Sequence, residues 1–122
     1  MSYQIDLEKK GLEMFFKPWQ IAALNYLNDV EAPKSSREVH EAVLEKIPRT
    51  VSRASIINFL NQAVEQDLLE YEITTGKGGH YRLYQPKYPG SQLIEHLARV
   101  VYDKLMTTWP EETKNTVNQI LR

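Results

Sequence analysis

The fold is decided by residues 52–84, which read SRASIINFLNQAVEQDLLEYEITTGKGGHYRLY. In the first half, apolar residues recur every three or four positions, which is the spacing of one helix face. These residues are Ile56, Ile57, Leu60, Ala63 and Val64. Over 69–73 and again over 80–84, apolar and polar residues alternate, as they do in a half-buried strand. The segment 74–79 contains three glycines, which permit turn backbone angles. The stretch therefore predicts a helix followed by a β-hairpin.

Two more helices are predicted before this stretch. The first begins at Pro18, since proline is tolerated in a first turn, where its missing N–H would have no helical partner. The second begins at Ser35, which is followed three residues later by Glu38 in the pattern of a capping box. Residues 1–16 form an N-terminal extension whose pattern fits a strand in its first half and a short helix in its second.

Two further helices are predicted after the hairpin. A connector with two prolines leads to Ser91, which is expected to cap a fourth helix, and Pro110 opens a fifth. Their apolar stripe is suited either to pairing with a second copy of the chain or to packing on its own domain. We favour pairing, through Leu93, Leu97, Val100, Val101, Leu105, Met106, Trp109, Val117 and Leu121.

The predicted order of elements is thus helix, helix, helix, hairpin, helix, helix. Three helices with short connections followed by a glycine-rich hairpin are typical of a winged helix-turn-helix domain. The expected fold class is mainly α with a small β-hairpin (α+β). A winged helix DNA-binding domain is expected over residues 17–88 and a C-terminal helical dimerisation arm over 89–122.

Residues 16–86 resemble the penicillinase-repressor family of transcriptional repressors. The resemblance rests on residues 37–43, REVHEAV, on residues 54–69, ASIINFLNQAVEQDLL, and on a wing that contains Gly, Lys, Arg and Tyr. It implies a homodimeric DNA-binding regulator with a C-terminal dimerisation arm. The sequence departs from the family at Gln62, where the family has Arg, and at Gln66-Asp67, where it has Lys-Gly. Both departures remove positive charge or flexibility beside the expected DNA face.

Composition excludes several other classes of protein. The chain has 122 residues, of which 42% are hydrophobic and 25% charged, as in an ordinary globular domain. The absence of cysteine excludes disulfides, iron–sulfur clusters and thiol catalysis, and the three histidines share no ligand spacing. We therefore expect no metal and no cofactor. With no long apolar run and no signal-peptide pattern, the chain is expected to be cytoplasmic, with no membrane partner.

Charge is distributed in a way that favours a DNA-binding face. The formal net charge is −1, but two windows, 46–64 and 73–94, contain basic residues and no Asp or Glu. The acidic residues 65, 67, 70 and 72 lie between them. In a winged helix-turn-helix domain the third helix and the wing both face the duplex, and they coincide with these two windows. The sequence therefore predicts a local basic face on a chain that is almost neutral.

Individual DNA contacts follow from the expected entry of the third helix into the major groove, N-terminus first. Base edges are assigned to Arg53, Ala54, Ser55, Asn58 and Gln62. Phosphates are assigned to Ser35, Arg37, Lys46, Arg49, Thr50, Ser52, Lys77, His80 and Arg82. Arg prefers guanine, whereas Asn and Gln prefer adenine. The alternative is that these side chains are a solvated helix start, a polar helix surface and an exposed turn.

Together these patterns predict a transcriptional repressor that binds double-stranded DNA as a homodimer on a pseudo-palindromic operator. The alternative is a winged helix that serves as a protein–protein interaction module, which the uncharged Gln62 and the acidic Asp67 favour. An enzyme is not expected, because no nucleophile, base and pocket converge in the sequence. No small-molecule effector is indicated.

Overall fold

The computed structural model describes residues 4–48 and 51–122 of the chain. The described residues divide into two compact units, one that extends to Lys87 and one that covers Tyr88–Arg122. The predicted fold class, mainly α with a small antiparallel sheet, is confirmed. Two predicted phosphate contacts, Arg49 and Thr50, lie outside the described residues.

The first unit contains three helices and three strands after a short 3₁₀ helix at Gly11–Met14. In chain order they are α1 (Pro18–Val30), β1 (Lys34–Ser35), α2 (Ser36–Lys46), α3 (Arg53–Glu65), β2 (Leu69–Gly76) and β3 (Gly79–Pro86). The second unit consists of α4 (Gln92–Thr108) and α5 (Pro110–Ile120).

The sheet has one strand more than the sequence predicts. Its order is β1-β3-β2, and both pairings are antiparallel. Strand β1 has only two residues, Lys34 and Ser35, which is too short for any alternation of polar and apolar residues to be seen. The hairpin strands are also longer than predicted, because pairing continues to Gly76 and Gly79 and leaves two residues for the turn.

The core of the first unit lies where α1, α2 and α3 meet each other and the sheet. Its fully buried side chains come from all three helices and include Leu27, Val39, Val43, Ile56 and Leu60. Burying each such side chain contributes about 1.5–3 kcal/mol relative to leaving it exposed. Of the stripe that the sequence predicts for α3, Ile56, Leu60 and Ala63 are buried and Ile57 and Val64 are half-buried, whereas the buried Phe59 was not predicted.

An aromatic cluster extends this core toward the N-terminal segment. Phe16 is buried and its ring meets that of Phe59 edge to face, with 6.2 Å between centroids. The Trp19 ring meets Phe59 in the same manner at 5.5 Å. Phe16 therefore anchors the N-terminal segment to the core of its own chain.

The start of α2 has the cap that the sequence predicts, and the start of α3 is capped by Ser52. The Ser35 hydroxyl accepts a hydrogen bond from the Glu38 N–H at 3.2 Å, and the Glu38 carboxylate accepts one from the Ser35 N–H at 3.2 Å. That bond from the Ser35 backbone is the largest cause that lowers the pKa of Glu38 below its ordinary 4.5. The Ser52 hydroxyl accepts from the Ser55 N–H at 3.1 Å.

The predicted cap of α4 is wrong. Ser91 occupies the N-cap position, but its side chain makes no capping hydrogen bond. Its backbone is helical, with φ −66° and ψ −16°, whereas a capping residue needs an extended backbone to turn its hydroxyl back toward the helix.

Replacing Ser35 by Ala should lower the free energy of unfolding by about 1 kcal/mol, because the capping bond is lost. Ser91→Ala is the matched control and should change it by less than about 0.5 kcal/mol, since no cap is removed. Urea denaturation followed by circular dichroism measures both. Equal losses in the two variants would contradict this account of the caps.

A second prediction concerns the tip of the hairpin. Gly79 has φ +98°, a backbone conformation that L-residues rarely adopt, whereas Gly78 lies outside this φ range. An added Cβ would meet no atom within 4 Å at either position, so the two sites differ only in backbone strain. Gly79→Ala should therefore cost about 1–2 kcal/mol of stability, and Gly78→Ala should be tolerated. Thermal unfolding of the two variants provides the comparison, and a stable Gly79→Ala protein would disprove it.

Candidate nucleic-acid interface

The N-termini of α2 and α3 and the tip of the hairpin enclose a groove of about 570 Å³, which we call the basic groove. Six of the sequence-predicted DNA contacts line it: Ser35, Arg37, Arg53, Lys77, His80 and Arg82. Ser36, Gly76, Gly78, Tyr81 and Tyr84 complete its wall, so among the described residues no carboxylate lines the groove. The fold thus brings together cationic side chains from three separate segments of the sequence.

Helix α3 is buried on one side and exposed on the other. Ile56, Phe59, Leu60 and Ala63 are buried in the core. Ala54 and Asn58 are exposed on the opposite side, as the sequence predicts. Asn61 follows them at helical spacing and is half-buried. The polar stripe on the outer side of α3 therefore extends beyond the residues that the sequence predicts to contact bases.

Ser52 and Ser55 have local partners at the start of α3. The Ser52 hydroxyl accepts from the Ser55 N–H and donates to the Ser55 hydroxyl, both at 3.1 Å. Its hydrogen-bonding capacity is thus largely used within the helix start. Ser55 keeps a hydroxyl proton that can be donated elsewhere.

The structure does not bring Gln62 and Lys46 into the basic groove. Gln62 lines a second groove of about 670 Å³, together with residues of the N-terminal segment and α1 such as Phe15 and Lys17. Lys46 is exposed in the last turn of α2, about 15 Å along that helix from its start. Helical spacing alone could not place Gln62, because it does not show which neighbouring segment lies beside the helix.

A polar contact that the sequence did not predict joins α3 to the hairpin. Asn61 Oδ1 accepts hydrogen bonds from Tyr84 Oη at 2.6 Å and from Arg82 Nη1 at 3.1 Å. The Arg82 guanidinium also lies 4.0 Å from the ring centroid of Tyr71. We call these four residues the wing joint. The spacing of positions 54, 58 and 61 would have placed Asn61 on the same side of α3 as Ala54 and Asn58, but its hydrogen-bond partners come from the distant hairpin.

Tyr84 is a suitable donor for this joint. It is 3% exposed, and burial raises the pKa of its hydroxyl, an effect that the Arg82 guanidinium opposes. The hydroxyl therefore stays protonated at neutral pH and donates to Asn61. Burial also holds the ring in place, so the direction of this hydrogen bond is fixed by the core.

The hairpin separates positive from negative charge between its two faces. Pairing sets Arg82 opposite Ile73 and His80 opposite Thr75, which places both basic side chains on one face of the sheet. Glu70 and Glu72 occupy alternate positions and point to the other face. On the first face, His80 Nδ1 lies 3.2 Å from the Thr75 hydroxyl. The pleat therefore keeps the acidic residues of β2 away from the Arg82 face.

The structure explains one departure from the penicillinase-repressor pattern. Asp67 stands where that family has Gly, and its backbone has φ +67°, in the left-handed region that Asp tolerates better than most residues. Its carboxylate also forms an ion pair with Lys87. This position thus meets the backbone requirement of a glycine while holding the end of the hairpin.

The second unit presents an apolar surface. A groove of about 560 Å³ between α4 and α5 is lined by five apolar or aromatic side chains, those of Tyr102, Leu105, Trp109, Val117 and Ile120, and by Glu112, Thr113 and Thr116. Of the predicted dimerisation residues, Leu105, Trp109 and Leu121 are exposed, Leu93, Val100, Val101, Met106 and Val117 are half-buried, and Leu97 is buried. Tyr102 and Ile120 line the same groove but were not among the predicted dimerisation residues.

Within the part of the chain that the structure describes, no three metal-ligating side chains lie together as a possible metal site, and none of the helices has the length and apolar character of a membrane span.

Neither a protein-family model nor a curated protein matches the chain. Among solved structures, the chain is similar to a protein from Thermoplasma acidophilum proposed to be a transcriptional regulator. That similarity has a TM-score of 0.51 and 22% identity, and covers 73% of this chain and 93% of the other. A PadR family transcription regulator from hypervirulent Clostridium difficile R20291 gives a TM-score of 0.49 and 11% identity over 87% of this chain and 100% of its own. The first similarity supports the winged-helix fold, and the narrower resemblance to the penicillinase-repressor family stays a prediction.

Proposed function

We propose that the chain is a transcriptional regulator that binds double-stranded DNA in a sequence-specific manner. The observation that supports this function is the basic groove, in which Arg37, Arg53, Lys77 and Arg82 lie together. Phosphate neutralisation by such cations supplies most of the sequence-independent affinity of DNA-binding proteins. The groove also contains the N-termini of two helices, whose dipoles favour phosphate.

In this proposal the groove positions the protein and α3 reads the sequence. Lys77, His80 and Arg82 contact phosphates from the wing, while Ser35 and Arg37 do so from the start of α2. Arg53, Ala54, Ser55 and Asn58 then meet base edges in the major groove. Gln62 is a less direct candidate, since it faces the N-terminal segment.

We further propose that the regulator is a homodimer that pairs through α4 and α5. The support for this is the apolar groove in which Trp109 is 56% and Leu105 40% exposed in the single chain. Covering such a surface with a second copy would remove apolar area from water. A twofold dimer presents two copies of α3 to half-sites about one helical turn apart, which implies a pseudo-palindromic operator. Occupation of a promoter by such a dimer would repress transcription by steric exclusion.

DNA binding can be tested by fluorescence anisotropy on duplexes selected by the protein from a random-sequence library. Affinity should fall steeply with salt. Lys77→Ala should weaken binding to all sequences and reduce the slope of log affinity against log salt by about 1. Arg53→Ala should cost about 1–3 kcal/mol on the selected sequence and relax the preference at one base position.

The matched control for these variants is Lys10→Ala, which removes an exposed lysine that does not line the basic groove. It should leave both the affinity and the salt slope unchanged. If the wild-type protein binds no duplex even at low salt, the proposed function is wrong and the protein-interaction alternative is favoured. If Lys10→Ala weakens binding as much as Lys77→Ala, the groove is not the interface.

Dimerisation can be tested by sedimentation equilibrium. The wild-type protein should have twice the chain mass of 14.2 kDa. Leu105→Glu should shift it to a single chain mass, because a charge would be buried in the apolar interface. Lys104→Glu introduces the same side chain at an exposed neighbouring position that does not line the apolar groove, and it should remain dimeric. A monomeric wild-type protein would contradict the proposed assembly.

A further inference from the structure

The side-chain amide of Asn61 is held in one orientation by two donors. Its Oδ1 atom accepts from Tyr84 Oη at 2.6 Å and from Arg82 Nη1 at 3.1 Å. A carbonyl oxygen has two lone pairs, so two hydrogen bonds fill its accepting capacity. Asn61 therefore has no acceptor left for a ligand.

The assignment of oxygen and nitrogen in this amide is dictated by chemistry. A guanidinium has only N–H donors, so the atom that faces Arg82 must be the acceptor, Oδ1. The two donors are themselves fixed, since Tyr84 is 3% exposed and Arg82 lies over the ring of Tyr71. An amide flip would set Nδ2 against the guanidinium of Arg82, which has no acceptor, and would lose that hydrogen bond even though the Tyr84 hydroxyl could accept from Nδ2.

What Asn61 can still offer is its pair of N–H donors. Within residues 4–48 and 51–122, Nδ2 has no hydrogen-bond partner. Asn61 is half-buried and follows Ala54 and Asn58 on the stripe of α3 that lies opposite the core. Asn61 therefore presents donors, and no acceptor, on the side of α3 that is proposed to meet base edges, which we call the reading face.

This arrangement changes the base that an asparagine would select. The usual pairing of Asn with adenine needs both functions of the amide, because Nδ2 donates to N7 while Oδ1 accepts from the N6 amino group. With Oδ1 occupied, adenine and cytosine would each present an amino group that finds no acceptor. Guanine offers N7 and O6 as acceptors and thymine offers O4, so donors alone can satisfy either base, whereas adenine offers only N7 beside its unmatched amino group.

We propose that Asn61 is a specificity-determining residue that, because the wing joint occupies its carbonyl oxygen, selects guanine or thymine and rejects adenine at one base position. This inference rests on the proposed DNA-binding function and specifies how its reading face acts. The hairpin thereby influences base selection without touching a base edge, since it sets which half of the Asn61 amide is available.

The test is selection from a random duplex library by the wild-type protein and its variants, followed by sequencing and anisotropy on the selected sites. Asn61→Ala should abolish the preference at one position, with about a tenfold loss of discrimination there. The double variant Tyr84→Phe/Arg82→Met removes both donors and frees Oδ1, so adenine should gain at that same position. Asn25→Ala, which changes an exposed asparagine of α1, should leave every preference unchanged.

The outcomes separate this inference from the proposed function. If the wild-type protein selects no sequence, the proposed function is wrong and the inference is overturned with it. If the wild-type protein selects a site but Asn61→Ala keeps all preferences, or the affected position is already adenine, the inference alone is overturned. Circular dichroism melting shows which variants are folded. If the double variant does not fold, the single variant Tyr84→Phe tests the inference. It frees one lone pair of Asn61 Oδ1 and should raise the tolerance for adenine at the affected position about threefold or more.

Discussion

The first unit depends on one constraint, which is that α3 must bury one side in the core while it keeps the other side free. Ile56 and Leu60 are both 0% exposed and fix the rotation of the helix about its axis. Because successive residues of a helix are separated by a constant angle, burying these two determines which residues are exposed. The exposure of Asn58 is thus a consequence of core packing, and a cavity under Leu60 would disturb the polar face as well as the stability.

The wing adds a second constraint, because it is joined to α3 by side chains as well as by the chain itself. The register of β2 and β3 places Arg82 and Tyr84 at alternate positions on one strand face, where both reach Asn61. The same pleat directs Glu70 and Glu72 to the other face. A chain with a formal net charge of −1 can therefore carry a groove lined by basic side chains. Strand alternation directs the two acidic residues of β2, Glu70 and Glu72, to the face of the sheet opposite Arg82.

Features with local causes could be predicted from the sequence, whereas those that depend on distant segments could not. The capping box of Ser35 and the hairpin both follow from residues a few positions apart. Strand β1 exists only because β3 lies beside it, and the partners of Asn61 are more than 20 positions away. The position of Gln62 beside the N-terminal segment likewise depends on a distant part of the chain and could not be predicted from nearby residues. The predicted cap at Ser91 was wrong for a different reason, since serine is a suitable residue type for a cap but the backbone angles of Ser91 are not those of a capping residue.

The arginines of the basic groove differ in how much of their charge is available to a phosphate. Arg37 forms an exposed ion pair with Glu41 at 3.3 Å on the same helix, so part of its charge is compensated. Exposed pairs of this type contribute only about 0.3–0.5 kcal/mol, so a phosphate can displace the carboxylate at little cost. Arg82 is held by a neutral amide and an aromatic ring, which orient the guanidinium without neutralising it. Its charge is not compensated by a carboxylate and its position is already fixed, which would lower the entropy lost on binding a phosphate. In the proposed complex with DNA, the hydrogen bond that orients Asn61 would therefore also hold the Arg82 guanidinium in place for a phosphate.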